Sequence, residues 1–502
     1  MTLENNILPY EKTVKFLGMT LDEKLTWSNH IESLKLKVKK SLNILKVVSG
    51  FDWGADKKTL LKLYNSICKS KLDYGCEVYS SACKSKLREL DVVHNMGLRI
   101  CTGAFKTSPI ESIYVDSHEL PLDLRREELG LRYTTRLKSS HDNPTLKILE
   151  EHDSKKFGVR SSKPFQIRQL ESLRNEEIQR QKIERVRPSL VPPWLVPEIP
   201  CCSRKISRKN IAEEHLKASF LEHDVNHEGQ EKIYTDGSKS QNGVGCAVVY
   251  GNEIYEAKLP QFASVYTAEM TAIVQALEIV HNSRKKDFVI YSDSQSAIES
   301  LKTFNAIHPL IRKAHEWLFW ISSRKKAVCF CWIPSHVGLT GNEEADKYAK
   351  EAANSTLSQI RKVPLEDMKS PIKSYIWRKW HERWSSSHLA NNKKYKKIRK
   401  TVEVWPSSFQ KERRVEIVLT RLRIGHTWLT HKYILEGGSA PLCAGCDVAL
   451  TVEHILVHCS TYHAQRRRFG LFGKSISQIL DDEADVNALV KFLKATGLFR
   501  LI

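Results

Sequence analysis

The chain has 502 residues, 41% of them apolar, and a formal net charge of +21. That length allows about three domains with buried cores, and so large an excess of cations points to a polyanion partner, most often nucleic acid. No stretch approaches the roughly 20 apolar residues of a membrane span; the opening "MTLENNILPYEKTVKF" lacks the apolar core of a signal peptide, and the twelve cysteines are too scattered for a secreted disulfide scaffold, so an intracellular protein without a membrane partner is expected, with nucleus and cytoplasm not distinguished.

Residues 1–145 are expected to be mostly helical. Ile31, Leu34, Val38, Leu42 and Leu45 fall on one helical stripe, and Leu60, Leu63, Tyr64 and Ile67 on another. Residues 146–226 are charged and marked by proline, which reads as a linker; "RPSLVPPWLVPEIP" (187–200) would anchor it through Trp194.

From residue 227 the pattern changes. "KIYTD" (232–236), "GVGCAVVYG" (243–251) and "NEIYEAKL" (252–259) read as a strand meander with Gly251-Asn252 as its tight turn. "TAEMTAIVQALEIVH" (267–281) reads as an amphipathic helix capped by Thr267. A strand (287–293), a helix (294–301), room for one long helix (308–323), a strand (327–334) and a closing helix (342–353) follow. The order β-β-β-α-β-α-α-β-α predicts an α/β domain over 227–354, a mixed five-stranded sheet with flanking helices.

Four acids in that domain stand out. Asp236 and Asp293 each end a predicted strand, and neighbouring strands lie about 4.8 Å apart. Glu269 sits in the first turn of its predicted helix and Asp346 on the closing helix. Clustered carboxylates repel one another unless protonated or bridged by a cation. Mg²⁺ or Mn²⁺ suits hard oxygen ligands, and two such ions about 4 Å apart are the standard device for in-line phosphodiester cleavage.

"IYTDGS", "YTAEMTAIVQAL", "VIYSDSQSAI" and "WIPSHVGLTGNEEADKYA" resemble, in order, the four signature blocks of type 1 ribonuclease H. The resemblance implies cleavage of RNA in RNA–DNA hybrids with two divalent ions held by Asp236, Glu269, Asp293 and Asp346. It implies a role for His336 in proton transfer or product release, and substrate contacts by Ser238, Gln295 and Asn342. Ser264-Val265-Tyr266 stands where the family often has an asparagine, and 301–327 leaves no room for an added basic protrusion. Hybrid affinity is therefore expected to come from flanking segments.

Beyond 354 a basic region (355–430) carries "IWRKWHERW" (376–384) and "NNKKYKKIRK" (391–400). The three tryptophans read as core, and the lysine run as a nucleic-acid face. In "CAGCDVALTVEHILVHC" (443–459), Cys443, Cys446 and Cys459 with His454 or His458 make a closed zinc set, structural rather than catalytic, within a module at 431–475 that precedes a tail at 476–502.

That block resembles the C-terminal zinc region of non-LTR retrotransposon polyproteins of the jockey and R1 kind, which implies His454 as the fourth ligand. "VKFLGMTLDEKLTWSNHI" (14–31), "LDYGCEVY" (72–79) and "LRELDVVHNMGLRICTGAFKTSPI" (87–110) resemble the thumb-like region after the polymerase palm of the same proteins. No palm Asp-Asp hairpin is present, since "QILDDEAD" (478–485) lies in a polar tail, so no polymerase activity is expected. The chain reads as the C-terminal part of a retrotransposon second open reading frame, with nucleic acid and other retroelement proteins as partners. An inactive nucleic-acid-binding remnant is the alternative reading.

Overall fold

The computed structural model describes residues 2–3, 6–7, 11–140, 142–150, 165–173, 182–200, 213–303, 307–356, 360, 362–386, 393–405 and 409–502. The chain divides into two compact units, one of Leu131–Asp153 with Leu170–Lys373, the other of Met1–Gly130, Ser154–Gln169 and Ser374–Ile502.

The first of these holds the five-stranded sheet. Its elements are β1 (Glu231–Lys239), β2 (Val244–Tyr250), β3 (Glu253–Leu259), α1 (Val265–Asn282), β4 (Asp287–Ser292), α2 (Gln295–Leu301), α3 (Pro309–Ser323), β5 (Ala327–Trp332) and α4 (Thr340–Asn354). The strand order is β5-β4-β1-β2-β3. β1, β2 and β3 form an antiparallel meander, while β4 runs parallel to both β1 and β5. Gly251 turns the β2–β3 hairpin at φ 57, where a side chain would be strained. The expected α/β architecture is present.

Alternation decides which side chains meet which helices. Val244, Cys246 and Val248 of β2, with Phe288 and Ile290 of β4, join the core shared with α1, α2 and α3. Val289 and Tyr291 point the other way, into a core with Cys331, Ile333, Leu339 and Phe220. α4 lies across β1, β2 and β3 through Ala345, Ala349, Ala352 and Ala353, all fully buried. Gly245 makes that approach possible, because a Cβ there would lie 2.4 Å from the Ala349 carbonyl oxygen.

Three local expectations are corrected. β1 runs on to Lys239, so Asp236 lies inside the strand, because β2 continues the pairing to Lys239–Val244. Ser264, not Thr267, caps α1, and its hydroxyl accepts the Thr267 N–H, which moves Glu269 to the second turn. The expected linker also carries structure. Glu213–Asp224 is a helix whose Phe220 packs against the sheet, and Lys182–Ile183 pairs with Lys362–Val363. Trp194 is 81% exposed; Val191, Val196 and Ile199 are buried in its place. Residues 151–164, 174–181 and 201–212 of that segment lie outside the described residues.

The other unit is helical. Ile31, Leu34, Val38, Leu42 and Leu45 form the buried stripe of Ser28–Val48 as expected. The second stripe differs: Leu60, Leu61, Tyr64 and Cys68 are buried at helical spacing while Leu63 is exposed, and a π-helical turn spans Asn65–Lys69. Trp380 and Trp384 are wholly buried, and Trp377 stacks on His118 at 4.1 Å. Trp380 meets Tyr114 edge-on at 6.1 Å. Trp380→Ala is expected to cost about 3–5 kcal/mol, read as a lower denaturant midpoint for the helical unit; a midpoint unchanged from the parent chain would contradict this packing.

A buried polar network joins the early and late segments of this unit. The Lys57 ammonium lies 3.2 Å from the Asp116 carboxylate, which also accepts from the hydroxyls of Thr420 at 2.9 Å and Tyr395 at 3.2 Å. The Lys57 N–H donates to Glu416 at 2.6 Å. Such a cluster is tolerated only when every member is partnered. It requires residues more than 300 positions apart, Lys57 and Glu416, to fold together.

Candidate metal centres

β1 and β4 are parallel neighbours with Thr235 opposite Ser292, so Asp236 and Asp293 emerge side by side at the C-terminal end of β4. Sites form at such edges in α/β sheets. The Trp332 indole donates to the Asp293 carbonyl at 2.9 Å and holds that strand end in place. Gly237 brings the helix in: a Cβ there would lie 2.6 Å from the Glu269 nitrogen, so only glycine lets α1 come this close to β1. Asp236, Glu269 and Asp293 thereby each offer a carboxylate oxygen within 4.8 Å of the others.

This group is electrostatically loaded. Asp236 and Glu269 are each 5% exposed. Burial, then the charges of Asp293 and Asp346, push the Asp236 carboxyl up to about 7. Burial, then Asp236 and Asp293, hold the Glu269 carboxyl well above the usual range. The Gly237 backbone amide acts against both shifts. One oxygen of Glu269, Oε2, is buried without a hydrogen-bond partner. An all-oxygen donor set, an orphaned carboxylate oxygen and like charges at close range fit a hard divalent cation.

Asp346 stands in an adjoining group. Its carboxylate, the His336 ring and Glu343 lie within 4.8 Å of one another. Lys350, one turn further along α4, pairs with Asp346 at 2.6 Å. His336 is exposed and takes φ 58, a left-handed conformation unusual for a non-glycine residue. The sequence reading did not single out Glu343 or Lys350. Their spacings of three and four from Asp346 on one helix were the available signal.

The residues expected to touch substrate are differently placed. Gln295 is exposed at the first position of α2, and Ser238 is half-buried opposite Gly245. Asn342 is 2% exposed, and its amide oxygen has no partner.

The second centre lies in the helical unit. Cys443, Cys446, His454 and Cys459 bring their ligand atoms within 4.8 Å of one another. The Cys459 sulfur lies 3.7 Å from that of Cys443 and 3.9 Å from that of Cys446. A tetrahedron with metal–sulfur bonds of about 2.3 Å has sulfur–sulfur edges of about 3.8 Å, whereas a disulfide bond is about 2.05 Å long. The Cys446 and Asp447 amides both donate to the Cys443 carbonyl, closing the Cys-x2-Cys turn. His454 opens a π-helical turn, His454–His458, and its Nε2 is buried without a partner; His458 is exposed. Hydrogen bonds from Ser460 pull the Cys446 thiol down to about 7. The donor set fits a soft or borderline cation in a closed tetrahedral site.

The basic run at 393–400 is less free than its composition suggests. Tyr395 and Ile398 are buried, Lys397 pairs with Glu453 at 2.9 Å, and the Lys396 ammonium lies 5.3 Å from the Trp384 ring centre. Trp380, Trp384 and Tyr395 are therefore withdrawn from base stacking, while Lys394 and Lys400 remain exposed.

Among known proteins, residues 228–354 match the ribonuclease H family model. The chain is 31% identical over 145 residues to the Gag-Pol polyprotein of woolly monkey sarcoma virus, a match covering 24% of this chain and 8% of that protein. It is 34% identical over 126 residues to the Pol polyprotein of equine infectious anemia virus (strain Wyoming), covering 24% and 10%. The Gag-Pol polyprotein of koala retrovirus is 30% identical over 145 residues, covering 24% and 8%. The chain thus spans a tenth or less of the length of these curated relatives, and it carries a ribonuclease H family domain with a mixed five-stranded sheet.

Proposed function

We propose that the chain hydrolyses the RNA strand of RNA–DNA hybrids endonucleolytically, using Mg²⁺ or Mn²⁺. The observation that carries this reading is the convergence of Asp236, Glu269 and Asp293 within 4.8 Å at one strand edge, inside the matched domain. Asp236, central to the group, would serve both ions; Glu269 and Asp293 would complete one side and Asp346 the other. Two divalent ions held there supply an activated water and stabilise the leaving oxygen in an in-line displacement.

The protein's own groups do the rest. The buried carboxylates discharge their mutual repulsion by binding cations rather than protons. His336, exposed beside Asp346, is within reach of a proton passing to or from solvent. Ser238 and Gln295 would contact the hybrid from β1 and α2. In the helical unit, Cys443, Cys446, His454 and Cys459 would hold a structural Zn²⁺. The resemblance of its flanking segments to jockey- and R1-like polyproteins supports a non-LTR retroelement origin, without polymerase activity from this chain.

The test is incubation of the purified chain with a labelled RNA–DNA hybrid, with and without Mg²⁺, beside duplex RNA and duplex DNA. Metal-dependent cuts in the hybrid's RNA strand alone are expected. A folded chain that binds the hybrid and leaves it intact would replace this reading with that of a non-catalytic binding remnant.

A further inference from the structure

The family match begins at residue 228, yet the sheet unit contains a helix before it, Glu213–Asp224. Lys217, Phe220 and Asp224 are spaced i, i+3 and i+7, so they share one helical face. Phe220 is 6% exposed and meets the Tyr291 ring edge-on at 5.4 Å. Asp224 accepts from the Tyr291 hydroxyl and, at 2.5 Å, from Lys232. Tyr291 is the next-to-last residue of β4, two positions before Asp293. The docked helix is thus registered against the strand end that builds the acidic centre. At about 1.5 Å per residue, Lys217 lies roughly 10 Å along the helix from Asp224.

At that point Lys217 meets the loop bearing His336. Its ammonium nitrogen is 3.2 Å from the position a Cβ would take on Gly338. Gly338 has φ 74, and its N–H donates to Glu343 at 3.2 Å, tying the loop to α4. Lys217 makes no ion pair among the described residues. A phosphodiester approaching Asp236, Glu269, Asp293 and Asp346 is repelled until cations offset their charge, and Lys350, on α4, is already paired with Asp346.

We propose that Lys217 is a backbone-phosphate contact of the cleavage site, supplied by a helix outside the family's usual span. The segment read as a linker then provides part of the hybrid affinity that the sheet domain's missing basic protrusion would otherwise supply. This inference rests on the ribonuclease H reading for its substrate.

The experiment uses the full chain with a fluorescent RNA–DNA hybrid, measuring anisotropy across a salt series with Ca²⁺ in place of Mg²⁺, and cleavage with Mg²⁺ in parallel. Lys217→Ala is expected to weaken binding about three- to tenfold on hybrids of any sequence, and to flatten the log–log salt slope by about one. Cleavage should show a raised KM with kcat little changed, and Lys217→Arg should retain both affinity and slope. An unchanged salt slope in Lys217→Ala overturns the proposal, whether or not the wild-type chain cuts. A wild-type chain that binds but never cuts, while Lys217→Ala still loses affinity and slope, would sink the nuclease reading and leave the contact standing.

Discussion

Asp236→Asn is expected to abolish Mg²⁺-dependent cutting and, in metal-free protein, to stabilise the sheet unit. Both effects follow from one observation, a carboxylate buried among like charges, taken with the proposed binding of cations there. Asparagine keeps the shape but cannot carry the charge that binds the ions. Loss of several kcal/mol of charge stabilisation corresponds to a rate lowered on the order of a thousandfold or more. Stability moves the other way. The Asp236 carboxyl is raised from 3.8 to about 7 by burial, Asp293 and Asp346. Between those values the folded chain binds the proton more tightly than the unfolded chain, so stability falls as pH rises from about 4 to about 7 and then levels off. The cost at neutral pH is on the order of 4 kcal/mol. Thermal melts of chelated protein should therefore decline across that window in the wild type and decline less in Asp236→Asn. Added Mg²⁺ should raise the wild-type midpoint at pH 7.5 and leave the variant's unmoved. Parallel pH curves for the two proteins would mean that Asp236 is not held as the structure has it.

The acids were legible in the sequence because each stands at a fixed offset from a strongly patterned element. The "VIYSD" run ends where its apolar alternation ends, and the chain places Asp293 there. What failed was the resolution of boundaries. Strand pairing between β1 and β2 outlasts the apolar pattern, so Asp236 is interior to its strand. A serine three residues upstream captured the α1 cap from Thr267, since its hydroxyl accepts the Thr267 amide. Neither change moved Asp236 or Glu269 away from the edge, because Gly237 fixes the approach of α1 to β1 whatever the exact ends of the elements.

Long-range assembly was not legible. Nothing local in "DKKTLL" announces that Lys57 is wholly buried against Asp116 and Glu416, and lysine is among the residues least often fully buried. A stripe chosen from the large apolar residues misses Cys68, which follows Leu60 and Tyr64 at helical spacing, and includes Leu63, which lies off the buried face. The helix Glu213–Asp224 is docked partly by polar groups: among its described side chains Phe220 packs on the sheet, while Asp224 docks through hydrogen bonds that no hydrophobic pattern reveals. Of the three tryptophans expected as core, Trp380 and Trp384 are wholly buried, their spacing of four placing both rings on one helical face, while Trp377 is half-buried.

Removal of metal from the cysteine cluster is expected to unfold the segment around 442–459 while leaving the sheet unit's catalytic metal dependence unchanged. The segment's buried aliphatic side chains are Val452, Ile455 and Leu456. Leu442 and Val448 are exposed, and Cys443 and Cys459 occupy buried positions facing one another. Three thiolates within 4.8 Å of one another are mutually repulsive without a cation, so ligand binding and local folding are one equilibrium, which for structural zinc is worth on the order of 10 kcal/mol or more. One zinc per chain should be found by elemental analysis. Co²⁺ substitution should give the visible absorption of a tetrahedral thiolate site. After chelation, hydrogen exchange should rise sharply across 442–459. Cys459→Ser and His454→Ala should reproduce that loss of protection, and His458→Ala should not, because His458 is exposed and His454 is the histidine that lies in the cluster. Equal metal loss in the two histidine variants would place the fourth ligand elsewhere, and full protection in chelated protein would mean that packing of Val452, Ile455 and Leu456 alone holds the module.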